Sequence, residues 1–385
     1  MSTEVPSLIR RTIVRGDDPR QLAAALAQGL APGDAAAIAF FATPGLDRDG
    51  FAAALREHFP GVPAIGCTTA GELGPEGMTE HSVSAFSLPK AGFRVATARV
   101  CSLAQFTLSS AAEVVARLRG SIEAQGATFA PERMFAMLLV DGLSVREEAL
   151  ASSLHAALGD VPLFGGSAGD GLRFEATHVY AEDGFASNAA ALMVVHTEHP
   201  FRVFKTQHIS GTDQKLIVTA ADAERRVVHE LDGEPAAERY ARLVGVRADE
   251  LTPEVFAEHP VVVRLGGQQF VRSIQKAEPD GSLTFYCAIE DGIVLSLAQL
   301  GDLAGSLDRE LAALEAQIGP PELIVGCDCI LRRLEVDRLG LRDRVSALLE
   351  RHRVVGFSTY GEQIQGLHVN QTFTGVAIGS LPKAA

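Results

Sequence analysis

Short apolar runs recur along the 385-residue chain, and several are followed by a polar turn that contains glycine. Short length, Val, Ile and Phe content and bounding turn residues predict buried strands at 62–65, 161–164 and 354–355. A helical pattern precedes each of these strands, and in each case an earlier apolar strand precedes the helix. These earlier elements lie at 35–41 and 51–58, at 134–140 and 144–158, and at 323–327 and 341–352. The pattern therefore predicts a strand–helix–strand–turn unit that is repeated three times along the chain.

The turns that end these units have similar sequences. They read Gly66-Cys-Thr-Thr-Ala-Gly-Glu72, Gly165-Gly-Ser-Ala-Gly-Asp170 and Gly356-Phe-Ser-Thr-Tyr-Gly-Glu362. The first and third copies match in spacing, which indicates an internal duplication. Open α/β sheets bind ligands at the carboxyl ends of their strands, so turns that face one another would form one site. In the alternative interpretation the glycines only permit tight turns and the hydroxyls only cap the next segment.

The remaining chain adds antiparallel strands to these units. Alternating patterns predict strands at 82–88, 93–100 and 189–196, and a last apolar strand covers 373–379. From about Phe201 the chain changes to strands separated by glycine turns, which predicts a curved antiparallel sheet. The fold class is therefore α/β, in a two-domain chain of repeated strand–helix–strand–glycine-turn units with additional antiparallel strands. We place the domain boundary near residue 230.

Two helix starts carry recognisable caps. Asp18-Pro19 opens a helix that runs through Leu30, because Asp caps the first turn and Pro fits the first helical position. Ser144 and Glu147 have the spacing of a capping box, in which the hydroxyl and the carboxylate each bind an amide of the first turn. Both residues of this second pair are therefore assigned a structural use.

Charge and composition exclude several classes of function. A net charge of −14 opposes binding to nucleic acid, and no apolar run reaches the roughly 18 residues of a membrane-spanning helix. Nor do the first 15 residues contain the apolar stretch of a signal peptide, so a cytoplasmic protein without membrane insertion is expected. Five cysteines in a chain of this length fit reduced thiols better than a disulfide framework.

The order of several phrases resembles a known family over residues 20 to 380. The first turn and Phe164-Gly-Gly-Ser-Ala-Gly-Asp170 resemble the FIST N-terminal domain, a module of bacterial signal transduction. The second half is similar to the FIST C-terminal domain in four phrases. These are Glu230-Leu-Asp-Gly-Glu-Pro-Ala236, Arg272-Ser-Ile274, Asp328-Cys-Ile-Leu-Arg332 and the third turn followed by Asn370-Gln-Thr372. The resemblance implies domains at 20–230 and 231–382.

What the resemblance implies is a stand-alone sensor of a small molecule or gas. Such a sensor reports through another protein, for which a sensor histidine kinase or a cyclic-di-GMP enzyme is expected. Members of this size include the NosP-type nitric-oxide sensors, so haem b is an expected cofactor. Its axial ligand would be a neutral histidine in an apolar pocket. We favour His368, which follows the third turn, over three rivals: His178, His196 and His208.

A haem-free amino-acid receptor is the alternative. Glu72, Asp170 or Glu362 would then pair with the ligand's ammonium, while Arg272 or Arg332 would bind its carboxylate through two parallel hydrogen bonds. Phe357, Tyr360 and Phe373 would form apolar walls for either ligand, or belong to the core. The full set of candidate ligand-binding residues is Cys67, Thr68, Thr69, Glu72, Ser167, Asp170, Arg272, Ser358, Thr359, Tyr360, Glu362 and Asn370.

Catalysis and metal binding receive less support. Gly165 to Gly169 fits the hydrolase pattern Gly-x-Ser-x-Gly, but the residues after it predict a loop and a strand instead of the required helix. We therefore assign no catalytic residue. Cys327 and Cys329 would supply only half of a tetrahedral metal site, and no other cysteine has a spacing that completes it. A structural use as small buried apolar residues is the better interpretation.

Overall fold

The computed structural model describes residues 9–182 and 184–381, so residue 382, the predicted end of the second domain, lies outside them. Helices and strands alternate through this part of the chain, and the strands form four sheets. The predicted α/β class is confirmed. Three of the sheets have six strands each and follow one plan, and the fourth is antiparallel.

The first unit contains two helices and seven strands. They are β1 (Arg10–Val14), α1 (Pro19–Leu30), β2 (Ala35–Ala42), α2 (Arg48–His58), β3 (Ala64–Thr68), β4 (Glu72–Gly74), β5 (Gly77–Thr79), β6 (Val83–Pro89) and β7 (Phe93–Cys101). Asp18 caps α1 as predicted, because its carboxylate accepts from the amides of Arg20 and Gln21. Strands β2 and β3 pair in parallel.

The second unit repeats this order. Its elements are α3 (Leu108–Ala124), β8 (Met134–Val140), α4 (Glu147–Leu158), β9 (Leu163–Ser167), β10 (Val179–Ala181), β11 (Gly184–Ala186), β12 (Ala189–Thr197) and β13 (Phe201–Thr206). Strands β8 and β9 form the parallel pair. The predicted capping box at the start of α4 is wrong. Arg146 occupies the cap position without a side-chain bond, and the Glu147 carboxylate binds Arg226 instead.

The chain then forms a fourth sheet before it begins the third unit. This segment contains β14 (Ile209–Asp222), β15 (Val227–Leu231), β16 (Glu234–Pro235), α5 (Ala236–Val244), α6 (Pro253–Glu258), β17 (Val261–Leu265), β18 (Gln268–Val271), β19 (Ile274–Ala277), β20 (Leu283–Phe285) and β21 (Val294–Leu300). Its strand order is β18-β17-β21-β14-β15-β20-β19, with β16 paired to β15. Its strands pair antiparallel, as predicted.

The third unit closes the described chain. Its elements are α7 (Leu303–Ile318), β22 (Pro321–Cys329), α8 (Ile330–Arg338), α9 (Arg342–Arg351), β23 (Val354–Thr359), β24 (Glu362–Ile364), β25 (Leu367–Val369) and β26 (Phe373–Gly379). Strands β22 and β23 form the third parallel pair. Helix α8 was not predicted, because no cap residue or proline marks its start.

The three six-stranded sheets exchange hairpins in a cycle. Hairpin β4–β5 of the first unit pairs with β23, hairpin β10–β11 of the second with β3, and hairpin β24–β25 of the third with β9. The sheet orders are β1-β6-β2-β3-β10-β11, β25-β24-β9-β8-β12-β7 and β13-β26-β22-β23-β4-β5. Each unit therefore completes the sheet of another, and one core lies between the three sheets. In that core, the rings of Phe41 and Phe357 stack with their centroids 4.7 Å apart.

This exchange crosses the predicted domain boundary. Residue 230 lies within β15 of the fourth sheet, while β13 pairs with β26 on the other side of the boundary. The limits 20–230 and 231–382 thus describe segments of sequence, and their folding as separate units stays a prediction.

Candidate functional site

The first glycine turn is held by a buried carboxyl group. Glu72 accepts from the hydroxyl of Thr69 on one oxygen and from the hydroxyl and amide of Ser82 on the other. The Thr69 hydroxyl in turn accepts from the amide of Gly71, at 3.2 Å. Burial raises the pKa of Glu72 despite these hydrogen bonds. Glu72 therefore ties the turn to the start of β6.

The third turn repeats the same bonds with equivalent residues. Glu362 accepts from the hydroxyl of Thr359 and from the hydroxyl and amide of Thr372, and the amide of Gly361 donates to Thr359 at 3.2 Å. Burial raises the pKa of Glu362 to about 8. In this structure, each of the two glutamates already receives three hydrogen bonds from the protein, of the roughly four that a carboxylate accepts. An ammonium group of a ligand would therefore compete with these donors.

The second turn uses its carboxylate differently. Asp170 accepts from the backbone amides of Phe174, Glu175 and Ala176 and from the hydroxyl of Tyr360. Burial alone would raise the pKa of Asp170, but these donors outweigh it and hold the pKa below its usual value. Asp170 is thus an ionised group that shapes the loop after β9 and joins it to the third turn.

Backbone bonds bring the three turns together. Ala70 N donates to Ser358 O at 3.0 Å, Gly169 N to Thr68 O at 3.0 Å, and Tyr360 N to Ser167 O at 3.2 Å. The turns therefore meet at one place, as the repeat predicted. Tyr360 adds a ring contact, because it stacks on Phe174 with a centroid distance of 4.5 Å.

A cavity of about 450 Å³ opens where the first and second turns meet helix α8. We call it the turn cavity. It is lined by Thr43, Pro44, Gly45, Thr69, Ala70, Gly71, Glu72, Glu80, His81, Asp170, Gly171, Leu172, Arg173, Ile330, Arg333, Leu334 and Asp337. Apart from Glu80 and His81, which follow β5, these residues come after β2, β3, β9 and β22. The turn cavity therefore lies at the carboxyl ends of parallel strands from all three sheets. A larger cavity of about 860 Å³ is lined by residues that lead into β2, β3 and β7, away from the turns.

Arg333 is the buried cation of the turn cavity. Its guanidinium binds the carboxylate of Glu80 and packs on Gly71, where an added Cβ would lie 1.8 Å from Nη1. Gly71, with φ of +128°, is therefore required for close approach as well as for its backbone conformation. The sequence pattern indicated Arg332 instead. Successive residues on a helix point about 100° apart, so Arg332, the neighbour of Arg333 on α8, faces the interior of the protein.

The opposite face of α8 is fixed by a buried network. Arg332 donates from Nε to Asp328 at 2.6 Å and from Nη1 to His208 Nδ1 at 3.0 Å. His208 Nε2 lies 2.8 Å from the nearer oxygen of Glu335, which is also on α8. His208 precedes β14, and its carbonyl accepts from Gly301 N, which follows β21. Helix α8 therefore contacts the turn cavity on one side and, on the other, the place where the chain enters and leaves the fourth sheet.

Three of the predicted ligand-binding residues line the turn cavity: Thr69, Glu72 and Asp170. Nine do not: Cys67, Thr68, Ser167, Arg272, Ser358, Thr359, Tyr360, Glu362 and Asn370. Cys67 lies in the common core because alternate residues of a strand face opposite ways. The fourth sheet packs over the third-unit hairpin, where Val263 and Phe270 contact Val369.

Arg173, Glu80 and Arg333 were missed because the turn motif alone does not indicate which elements pack against it.

The surroundings of His368 do not fit an axial haem ligand in this conformation. The ring is buried, and Nδ1 lies 3.0 Å from Gln363 Nε2. Gly361 packs against the part of the ring that joins the two nitrogens, since an added Cβ there would lie 2.3 Å from His368 Cε1 and 2.6 Å from His368 Nε2. Burial lowers the pKa of His368 to about 4, so the imidazole is neutral, and both of its nitrogens lie against protein groups. Haem binding therefore stays a prediction.

The hydrolase and metal-binding patterns that the sequence contains do not have the geometry that they require in the described residues. Ser167 accepts from Gln363, and the residues after it form a loop, so the helix required for a hydrolase elbow is missing, as predicted. Within 9–182 and 184–381, no group of three or more His, Cys, Asp and Glu side chains is arranged to hold a metal ion. All five cysteines are free thiols. No helix in the described part of the chain is both long and apolar enough for a membrane span.

Comparison with protein-family models finds two matching domains in the chain. The FIST N domain matches residues 36–234, and the FIST C domain matches residues 236–365. No curated protein matches the sequence. FIST domains are associated with signal transduction and small-ligand sensing. Two matches in this order, over most of the chain and around the three glycine turns, show that the protein belongs to the FIST family.

Proposed function

We propose that this protein is a small-ligand sensor whose ligand binds in the turn cavity. The position of the turn cavity carries the proposal: three sheets direct the carboxyl ends of their parallel strands toward it. Its volume of about 450 Å³ lies within the range of small-molecule sites. Apolar walls from Leu172, Ile330 and Leu334 accompany a few charged groups, which is the usual composition of such a site.

The charged groups favour a haem-free receptor for a zwitterion of the amino-acid type. Arg333 and Arg173 supply guanidinium groups for a carboxylate. Glu80, which also binds Arg333 and Arg342, and Asp337, which also binds Arg342, supply carboxylates for an ammonium. Arg173 is exposed, and within the part of the chain that the structure describes only its Nε is hydrogen-bonded, to Asp170 O at 3.1 Å. The other N–H groups of its guanidinium can donate to a ligand, so Arg173 can bind a carboxylate without breaking an ion pair, whereas Arg333 is already paired with Glu80.

Helix α8 provides the route to an output. A ligand that contacts Arg333 or Ile330 displaces a helix whose other face is bonded to His208 at the base of the fourth sheet. We propose that the fourth sheet shifts with α8 and is read by a partner, a sensor histidine kinase or a cyclic-di-GMP enzyme. Such a shift requires that the ligand bind two conformations with different affinity.

Arg173→Ala is expected to weaken ligand binding about tenfold, the cost of losing one charge-assisted contact of roughly 1.4 kcal/mol. Wild-type protein is first screened by thermal denaturation against the twenty amino acids, and affinity for any stabilising ligand is then measured by calorimetry. Arg344→Ala, which removes an exposed arginine on α9, is the matched control. The proposal fails if no amino acid stabilises the wild type, or if Arg173→Ala binds as tightly as Arg344→Ala.

One absorption spectrum separates this receptor from a haem-based sensor. After reconstitution with haem and removal of excess, we expect no stoichiometric Soret band that depends on His368, because the His368 nitrogens are enclosed by Gln363 and Gly361. A stoichiometric band that shifts with nitric oxide in the ferrous state, and that His368→Ala abolishes, would contradict this expectation and restore the gas-sensor interpretation.

A further inference from the structure

Four arginines are buried in the described residues, and they differ in one respect. Their exposed fractions are 7% for Arg226, 7% for Arg272, 2% for Arg332 and 3% for Arg333. Three are paired with carboxylates: Arg226 with Glu147 and Glu148, Arg332 with Asp328, and Arg333 with Glu80. For Arg272, no Asp or Glu oxygen in the described chain lies within the 4.0 Å of an ion pair. Among the described residues, Arg272 is therefore the buried arginine that has no carboxylate in direct contact.

The contacts that Arg272 does make are neutral. Its Nη1 donates to the carbonyl of His368 at 3.2 Å, while Nε is buried without a hydrogen-bond partner. The Cys287 thiol lies beside it, and burial raises the pKa of Cys287, so this group does not supply a negative charge at neutral pH. A buried guanidinium with an unsatisfied donor and no counter-ion is unfavourable unless something else binds to it.

A second unsatisfied side chain lies on the same segment. Both polar atoms of the Asn370 carboxamide are buried without a partner, and Asn370 is 1% exposed. The carboxamide approaches Gly361 beside the His368 ring, since a Cβ added to Gly361 would lie 2.9 Å from Asn370 Nδ2 and 2.6 Å from His368 Nε2. Arg272 is thus bonded to the backbone carbonyl of His368, and Asn370, whose carboxamide has no partner, lies two residues further along the chain.

The neighbouring carboxylates are bonded to other groups and make no direct contact with Arg272. Glu147 and Glu148 both bind Arg226, and Glu148 also accepts from the amide of Ala288. His368 adds no charge, because burial lowers its pKa to about 4. The region between the fourth sheet and the third-unit hairpin therefore holds a guanidinium that no carboxylate binds directly, on the same segment as a carboxamide that offers both a donor and an acceptor.

We propose that Arg272 and Asn370 form an occluded site for a small oxyanion, a carboxylate or a phosphate, separate from the turn cavity. The guanidinium provides the charge and a directed Nε–H donor, and the carboxamide provides an N–H donor to a second oxygen. The carboxamide oxygen accepts from a hydroxyl where the anion carries one, as hydrogen phosphate does. The fourth sheet covers this position, as the contact of Val263 and Phe270 with Val369 shows.

The test measures the melting temperature of full-length protein freed of oxyanions by gel filtration into a chloride buffer. Chloride is then replaced by phosphate in one series and by acetate in another, at constant ionic strength. We expect a saturable rise on the order of 3 °C for the wild type with the anion that fits. The series that shows the rise identifies phosphate or carboxylate as the ligand class.

Arg272→Met is expected to abolish the rise and to melt at or above the wild-type temperature in chloride, because the unpaired charge is gone. Arg344→Met controls for removal of an exposed arginine. If Arg272→Met does not fold, Asn370→Ala replaces it and is expected to reduce the rise while Arg272 remains. Equal rises in the wild type and the site variant would show a general salt effect and overturn the proposal. Absence of a rise with both anions would overturn it as well.

Arg173→Ala keeps this site intact and separates the two proposals. Its oxyanion response is expected to equal that of the wild type even if the turn cavity binds no amino acid. An oxyanion response that is lost in Arg173→Ala would place the anion in the turn cavity instead and contradict the assignment to Arg272.

Discussion

Gly356→Ala is expected to lower the free energy of unfolding by about 3 kcal/mol or more, at the upper end of the cost of overpacking a core. A Cβ at this position would lie 1.7 Å from the carbonyl oxygen of Gly326 on the paired strand, and 2.7 Å from its carbonyl carbon. Neither atom can move aside, because β22 is bonded to β23 on one edge and to β26 on the other. Chemical denaturation followed by circular dichroism measures the change.

Gly120→Ala is the matched control for this substitution. Gly120 is exposed inside α3, and a Cβ there would meet no atom within 4 Å. Alanine is expected to stabilise this helix by about 0.5–1 kcal/mol. If the free energy of unfolding of Gly356→Ala were within about 1 kcal/mol of the wild-type value, the close pairing of β22 and β23 at Gly326 would be incorrect.

The second large effect is a fall in stability with rising pH, which Glu362→Gln is expected to reduce. The pKa of Glu362 is raised by burial to about 8, from an ordinary value of 4.5. The folded protein therefore holds a proton that the unfolded chain releases. Its stabilisation is fully present below about pH 4.5, falls as pH rises, and is lost above about pH 8. The shift corresponds to a loss on the order of 4 kcal/mol across this window.

Glutamine stays neutral at every pH and keeps the oxygen that accepts from Thr359 or Thr372. Glu362→Gln is therefore expected to show a flatter decline than the wild type between pH 5 and pH 8, measured as the free energy of unfolding in urea. The raised pKa of Glu147, about 7, has the same sign and leaves a residual slope in both proteins. Glu113→Gln, on the exposed face of α3, controls for loss of a surface charge. Identical slopes for the wild type and Glu362→Gln would mean that Glu362 is ionised in the folded protein.

Much of the local structure could be predicted because it depends on neighbouring residues. The cap at Asp18, helix α7 and the last strand follow from turn residues and apolar periodicity within a few positions. Predictions failed where a distant partner decides the outcome. Glu147 has the spacing of a capping box, yet its carboxylate binds Arg226 from the fourth sheet. Helix α8 has no cap of its own and is held by contacts with Glu80 and His208.

The sequence alone determined the three repeated units, their glycine turns and the family, because apolar periodicity and turn composition are properties of short segments. Only the tertiary structure decided how the hairpins are exchanged and which side chains the turns face. The exchange brings Arg333 to Gly71 and joins Tyr360 to Asp170, and the fourth sheet encloses Arg272 near Asn370. These pairs are separated by about 100 to 260 residues, and pairing between distant strands depends on the packing of the whole core. The turns were therefore recognisable as motifs, while the composition of the cavity they form was not.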